Sequence, residues 1–209
     1  MGDHLVVNGD LFEFWFEYRS VIPRHLFPTL EALAALRRAG VRLTLTGGNH
    51  DRWGGPFWRE QLRAEFHPDA VELELAGHRA LVTHGDGVAG GELGARLLHA
   101  VTRWRPTAAA FRALHPDWGY ALVRRLSPRL AGRRDPAIIE GAANAQAEWA
   151  RKQLQQRRDL ELLVMGHTHS PQLDQVEPGR WYLNPGAFAD GGRYAVVTSG
   201  GPRLERFEG

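Results

Sequence analysis

Four short apolar segments of the chain end in the same way, with small residues followed by Asp, Asn or His. They occupy residues 5–8, 41–45, 79–82 and 160–165. Runs this short, rich in Val and Leu and closed by turn residues, are typical of strands buried in a parallel or mixed sheet. Because open α/β sheets bind ligands at the carboxyl ends of their strands, we expect the four polar ends to meet at one rim of a folded sheet.

The segment Thr46-Gly47-Gly48-Asn49-His50-Asp51 follows the second of these runs. Its two glycines allow a sharp turn, after which an amide, an imidazole and a carboxylate follow in succession. Asn49 can offer a neutral oxygen to a hard metal ion, His50 can donate a proton, and Asp51 can orient either one. Gly, Asn and Asp also favour turns, so these six residues alone are equally compatible with a simple turn.

The other three segments end in Asp10, in His84 with Asp86, and in His167 with His169. A single histidine after a strand is more often a packed or solvated residue than a metal ligand, and only the repetition favours a metal site. Asp, Asn and His donors suit Mn, Fe or Zn. His167 and His169 are two residues apart, so in an extended segment they share a face and can each bind one of two adjacent metals. Two metals about 3.5–4 Å apart are a recurrent device for hydrolysing phosphoesters.

The composition excludes several alternatives. The 209 residues contain no cysteine, which excludes disulfides and thiolate metal sites and fits a cytoplasmic protein. The formal net charge of +2 is too small to indicate nucleic-acid binding. No run of 18 apolar residues is present, so the sequence predicts no spanning helix.

Basic and aromatic residues are concentrated near the middle of the chain. Residues 96–134 contain nine arginines and one acidic residue, Asp117. We interpret residues 88–134 as an inserted, mostly helical cap that attracts phosphates or an anionic membrane surface. A helical hairpin with a solvated charged face is the alternative. The predicted substrate-binding residues are Arg96, Arg103, Trp104, Arg105, Phe111, Trp118, Arg124 and Arg125.

The remaining patterns predict alternating helices and strands within a single domain, residues 1–209. Helices are expected over 28–39, 56–66 and 136–158, each with a proline near its first turn. Strands are expected over 71–75 and 79–82 as a hairpin, over 181–183, and over 194–198 and 203–207 as a second hairpin. The resulting β-α-β order belongs to the α/β class.

Taken together, the motifs resemble those of the calcineurin-like metallophosphoesterase family: Gly9-Asp10, Gly48-Asn49-His50-Asp51, His84-Gly85-Asp86 and Gly166-His167-Thr168-His169. The resemblance implies a four-layer αββα sandwich and two divalent metals, Mn above all, with Fe, Zn or Mg as alternatives. It implies that Asp10 bridges both metals, that Asn49, His84 and His167 complete one site, and that His169 belongs to the other. His50 would stabilise or protonate the leaving oxygen, and Asp51 would orient it.

A narrower resemblance is to the UDP-2,3-diacylglucosamine diphosphatases of lipid A biosynthesis, through residues 9–15 and the basic, aromatic cap. It implies hydrolysis of a nucleotide-linked lipid to UMP and a lipid sugar 1-phosphate at the inner face of the membrane, with no nucleic-acid or protein partner. That branch usually has Arg where this chain has His50. Two alternatives stay open: a phosphohydrolase for soluble phosphoesters, and a non-catalytic metal-binding or membrane-surface module.

One family motif, an Asp-x-His at the end of the first strand, is not found in this sequence. Asp3 and His4 do not replace it, because neighbouring residues of a strand face opposite sides. We interpret this as truncation of a longer product, with true loss of one site as the alternative. The residues present would supply four ligands to one metal and two ligands to the other. We therefore expect one tightly bound metal, one weakly bound metal, and slow or absent turnover.

Overall fold

The computed structural model describes residues 2–88, 104–131 and 136–208, which fall into two compact units. The N-terminal unit comprises Met1–Pro68 and Gly91–Arg134, and the C-terminal unit comprises Asp69–Gly90 and Asp135–Gly209. The sequence-based division into one domain with an inserted cap stays a prediction.

A three-stranded parallel sheet forms the base of the N-terminal unit, in the order β1-β2-β3. Helices connect the successive strands, which confirms the predicted β-α-β order. The elements are β1 (His4–Asn8), α1 (Phe27–Arg38), β2 (Arg42–Thr46), α2 (Phe57–Leu62) and β3 (Glu65–His67).

The helix predicted over residues 56–66 is too long. Helix α2 ends at Leu62 because Arg63 adopts a left-handed conformation, with φ of 49°. The chain then extends, and Glu65–His67 pairs in parallel with β2. Three residues are too few for strand periodicity to appear in the sequence, so the sequence pattern did not reveal β3.

Aromatic side chains that follow β1 anchor the first loop in the core of the N-terminal unit. Trp15 and Trp58 are almost fully buried, with ring centroids 4.8 Å apart, and Phe12 stacks on Trp15 at 5.5 Å. Leu43 and Leu45 of β2 belong to the same cluster. Hydrophobic packing of Phe12 and Trp15 therefore holds the segment that follows Asp10.

Two helices of the predicted cap are described, α3 (Arg105–Ala113) and α4 (Pro116–Ala131). They pack within the N-terminal unit through rings of the first loop: Phe14 lies 5.7 Å from Phe111 and 5.4 Å from Tyr120. The rest of the predicted cap, residues 89–103 and 132–134, lies outside the described residues. Among the residues that are described, no helix is long and apolar enough to cross a bilayer.

The C-terminal unit contains a five-stranded mixed sheet in the order β4-β5-β6-β8-β7, together with a separate hairpin of β9 and β10. The inner strands β5, β6 and β8 are parallel, and the outer strands β4 and β7 are antiparallel to their neighbours. The elements are β4 (Val71–Leu75), β5 (His78–Val82), α5 (Pro136–Gln156), β6 (Leu162–Val164), β7 (Gln172–Glu177), β8 (Arg180–Asn184), β9 (Arg193–Thr198) and β10 (Gly201–Arg206).

Strand β7 was not predicted. Its sequence, Gln-Leu-Asp-Gln-Val-Glu, contains only two apolar residues, and it lies at an edge of the sheet where polar side chains are tolerated. Helix α5 contributes small residues, including Ala147 and Ala150, to a core that also contains Leu163 of β6 and Tyr182 of β8.

A buried arginine closes the carboxyl end of α5. Arg180 is 9% exposed, and its guanidinium donates to the carbonyl oxygens of Leu154, Arg157 (2.7 Å) and Leu160 (2.8 and 2.9 Å). It also pairs with Glu177 at 3.0 Å. The last carbonyls of a helix have no partner within the helix, and here one side chain satisfies that of Leu154 together with two carbonyls just beyond the helix.

Replacement of Arg180 by Met should destabilise the protein by about 2–4 kcal/mol, because buried carbonyl groups lose their donor. The matched control is Arg158→Met, which removes an exposed arginine that pairs with the same Glu177. The control should cost less than about 1 kcal/mol. Urea unfolding monitored by circular dichroism measures both values, and equal costs would contradict the capping role.

Candidate functional site

The backbone at Asp10 is constrained. Gly9 and Asp10 both have positive φ, 74° and 52°, directly after β1. A left-handed conformation at a non-glycine residue costs about 1–3 kcal/mol and persists only where the surroundings enforce it. The N–H of His50 donates to the Asp10 carboxylate at 2.9 Å, and the N–H of Trp15 donates to the carbonyl of His50 at 3.0 Å.

Asp51 connects the two loops that carry the predicted site residues of the N-terminal unit. Its side chain is 3% exposed, and its two oxygens accept the N–H groups of Gly48 (2.7 Å) and Leu11 (2.8 Å). Burial raises the pKa of Asp51, while these two N–H groups oppose the shift by favouring the carboxylate. Asp51 thus holds the loop after β1 against the loop after β2.

The imidazole of His50 is oriented by a backbone group. Its Nδ1 lies 2.6 Å from the carbonyl oxygen of Glu13, which can only accept, so Nδ1 carries the proton of the neutral ring. This leaves Nε2 as the nitrogen without a proton in the neutral ring. Asn49 and His50 are half-buried. The structure therefore brings Asp10, Asn49, His50 and Asp51 onto two joined loops of the N-terminal unit.

Two further predicted ligands lie side by side in the C-terminal unit. His84 follows β5 and is 3% exposed, and His167 follows the neighbouring parallel strand β6. Their ring centroids are 5.2 Å apart, and each ring offers a nitrogen within 4.8 Å of the other. The N–H of Gly166 donates to the carbonyl of His84 at 3.0 Å. Two imidazoles this close can bind one cation together.

The segment Gly166-His167-Thr168-His169 is not extended, which corrects the premise on which the two histidines were predicted to share a face. His167 has φ of 69° and His169 has φ of 57°. In the part of the chain that the structure describes, five non-glycine residues have positive φ, and three of them are the predicted ligands Asp10, His167 and His169. Strain of this kind is concentrated at functional sites.

An acidic residue that the sequence analysis missed contacts His169. The Nδ1 atom of His169 lies 3.0 Å from a carboxylate oxygen of Asp190, in the loop after β8. Metal-binding histidines commonly donate their second ring N–H to a carboxylate, which fixes the ring and leaves Nε2 for the metal. Asp190 belongs to no motif and lies 21 residues after His169, so no sequence pattern indicated this contact.

The predicted substrate-binding residues differ in their surroundings. Trp104 and Trp118 are 65% and 71% exposed, and Arg124 and Arg125 are exposed. Phe111 instead packs against the aromatic rings of the first loop. Arg96, Arg103 and the side chain of Arg105 lie outside the described residues. Two of the eight are thus exposed aromatic groups, two are exposed cations, and one is a packing residue.

An apolar groove of about 1030 Å³ lies within the N-terminal unit, between residues 18–26 and α4. Its walls include Val21, Ile22, Leu26, Tyr120 and Ala121, with Arg24 and Arg124 among the lining residues. Burial raises the pKa of Tyr120 to about 12, so its phenol stays neutral at ordinary pH. The groove was not predicted as such, because residues 18–26 carry no motif.

Comparison with known proteins agrees with this geometry. The profile of the Calcineurin-like phosphoesterase family matches residues 1–171. The chain belongs to the calcineurin-like phosphoesterase family. This confirms the predicted family and the predicted α/β sandwich fold, and it makes the protein a metal-dependent hydrolase.

Three relatives are proteins named UDP-2,3-diacylglucosamine hydrolase. The one from Ralstonia nicotianae is 31% identical over 195 residues, which cover 86% of this chain and 70% of the relative. The one from Aeromonas salmonicida is 29% identical over 213 residues, covering 98% and 80%. The one from Porphyromonas gingivalis is 27% identical over 175 residues, covering 77% and 67%.

The calcineurin-like phosphoesterase family implies a divalent metal cofactor, and the donor groups fit one. Carboxylate, amide and imidazole groups are suitable ligands for Mn, Fe or Zn. Close packing of His84 with His167, and the strained backbone at three predicted ligands, are what a preorganised cation site requires.

Gly48 offers a test of the close approach between the loop after β1 and the loop after β2. A Cβ atom at this position would lie 2.6 Å from the nitrogen and 2.7 Å from Cγ of Asp10. We expect Gly48→Ala to displace Asp10 and to cost about 1–3 kcal/mol in unfolding free energy. Gly141→Ala is the control, because a Cβ there meets nothing within 4 Å and the residue lies in α5. It should be neutral or stabilising by up to about 1 kcal/mol. A neutral Gly48→Ala variant in the same urea titration would contradict the close approach.

Proposed function

We propose that the protein hydrolyses the diphosphate of UDP-2,3-diacylglucosamine to UMP and a lipid sugar 1-phosphate. The observation that carries this proposal is similarity to relatives of that name over as much as 98% of the chain. That range includes helix α4 and residues 18–26, which form the apolar groove. An apolar groove of this kind is suited to binding the lipid chains of such a substrate.

We assign Asp10, Asn49, His84 and His167 to one divalent cation, and Asp10 with His169 to a second. Mn²⁺ is the proposed metal. Bound at these residues, such cations would supply Lewis-acid neutralisation of the charge on the phosphoryl oxygens. Neighbouring residues orient the proposed ligands: Asp51 holds the loops of Asp10 and Asn49 together, and Asp190 fixes the ring of His169.

His50 is the proposed proton donor. Hydrolysis of the diphosphate breaks one P–O bond, forms another with the oxygen of water, and distributes the two protons of that water between the products and the solvent. With Nδ1 held by the carbonyl of Glu13, the imidazolium form of His50 can deliver a proton from Nε2 to the leaving oxygen and is then neutral.

The apolar groove is the proposed site for an acyl chain. Its volume, about 1030 Å³, is at the upper end of the range for ligand pockets, roughly 300–1000 Å³. Val21 and Ile22 are 47% and 46% exposed, so the groove offers apolar surface that water covers in the absence of a ligand. An acyl chain would remove that surface from water at about 25 cal/mol per Å².

The surface around α4 is the proposed membrane contact. Trp118 is 71% exposed, and exposed tryptophan favours the lipid headgroup region. Arg124 and Arg125 are exposed on the same helix and attract anionic headgroups. A surface of this kind would bring the protein to the membrane in which a substrate with lipid tails lies. For a cytoplasmic protein, this contact is with the inner face of the membrane.

Incubation with UDP-2,3-diacylglucosamine should release UMP only when Mn²⁺ is present. His84→Ala should lower kcat/KM about 100-fold or more, since it removes a ligand of the first cation. Lys152→Ala, an exposed residue of α5, should have no effect.

Two outcomes of this assay would contradict the proposed function. Rapid turnover of soluble nucleotide esters without detergent, with no UMP from the lipid substrate, would contradict the substrate and favour a soluble phosphoester. Tight Mn²⁺ binding with no hydrolysis of any ester would favour a non-catalytic module.

The double variant Arg124→Gln/Arg125→Gln should bind vesicles of phosphatidylglycerol about 30-fold more weakly than the wild type, at about 1 kcal/mol for each arginine. Co-sedimentation at low salt measures the binding. The matched control is Arg158→Gln/Arg203→Gln, which removes two exposed arginines of the C-terminal unit. If both double variants lose affinity equally, net charge alone explains the binding and the proposed surface is wrong.

A further inference from the structure

A row of buried polar side chains runs from helix α5 to the loop after β6 and the last residue of β8. Gln146 is fully buried, Asn184 is 1% exposed and Thr168 is 3% exposed. None of them belongs to the proposed cation ligands. Burying an amide or a hydroxyl is costly unless it is hydrogen-bonded, so three such groups together indicate a specific arrangement.

Each member of this row is bonded to the next. The amide nitrogen of Gln146 donates to the carbonyl of Gly85 at 3.1 Å, and its amide oxygen accepts the hydroxyl proton of Thr168 at 3.2 Å. The amide nitrogen of Asn184 donates to the Thr168 hydroxyl at 3.0 Å and to the carbonyl of Gly166 at 3.2 Å.

These bonds end on the two loops that carry the histidines of the C-terminal unit. Gly85 directly follows His84, and Thr168 stands between His167 and His169. The contact with Gly85 is close: φ of Gly85 is +96°, and a Cβ atom there would lie 2.5 Å from Nε2 of Gln146. One side chain of α5 therefore binds both loops at positions next to predicted ligands.

The network also explains how the strained loop is held. His167 and His169 both have a left-handed backbone, and Thr168 between them is fixed by bonds to Gln146 and Asn184. An apolar residue in place of Gln146 would fill the core but would leave the loop after β6 without this restraint. The amide of Gln146 therefore orients the loop, which packing alone does not do.

We propose that Gln146 is a positioning residue that sets the spacing of His84 relative to His167 and His169, and thereby the affinity for the cation. This inference rests on the proposed metal site. Gln146 contacts neither the cation nor the substrate and acts through Gly85 and Thr168. The reciprocal pair of bonds, one donated and one accepted, is the feature that a glutamine supplies here.

The test is the Kd for Mn²⁺ of the purified chain, measured by isothermal titration calorimetry together with urea unfolding of the metal-free protein. Gln146→Met and Thr168→Val should each weaken Mn²⁺ binding about 10- to 100-fold, and the double variant should be little weaker than either single variant. Thr168→Ser keeps the hydroxyl and should bind within about threefold of the wild type. Gln155→Met, the same change at an exposed position of α5, should leave the Kd unchanged.

The outcomes separate this inference from the proposed function. Absence of Mn²⁺ binding by the wild type would overturn both. Binding by the wild type with an unchanged Kd in Gln146→Met would overturn only the role of Gln146, even if that variant is less stable. Should Gln146→Met not fold, Thr168→Val decides: a Kd equal to that of Thr168→Ser overturns the role, and a weaker Kd supports it.

Discussion

One buried carboxylate determines how the two loops that carry the predicted site residues of the N-terminal unit are joined. Asp51 accepts an N–H group from each of two loops that are far apart in sequence, the loop after β1 and the loop after β2. Without this acceptor, the N–H groups of Gly48 and Leu11 would lose their hydrogen-bond partner, and the two loops would lose this connection. Burial of a carboxylate is unfavourable in itself, so its presence is explained by the loops that it joins.

In the C-terminal unit, neutral groups join two loops in a similar way. There the amide of Gln146 joins the loops after β5 and β6, and the hydroxyl of Thr168 and the amide of Asn184 extend the connection. A neutral amide both donates and accepts, whereas an ionised carboxylate only accepts. The difference matches what each loop presents: two N–H groups at Asp51, and one carbonyl with one hydroxyl at Gln146.

Much of this protein could be predicted from its sequence, because the strands that carry the site are short, apolar and closed by recognisable turns. Asp10, Asn49, His84, His167 and His169 were all located at strand ends by this pattern. Asp190 and Gln146 were not, since each acts through a contact with residues 21 or more positions away, and neither lies in a motif. The left-handed backbone of the histidine loop was missed for a related reason: it is imposed by bonds from α5 and β8 and not by local propensity. Strands β3 and β7 escaped prediction because one has three residues and the other is a polar edge strand.

The left-handed residues set a limit on how far this chain can be stabilised. Glycine adopts a positive φ without steric cost, so at Asp10, His167 and His169 it would relieve backbone strain while removing the side chain of a proposed metal ligand. At these three positions, relief of backbone strain and retention of a proposed metal ligand therefore require different residues.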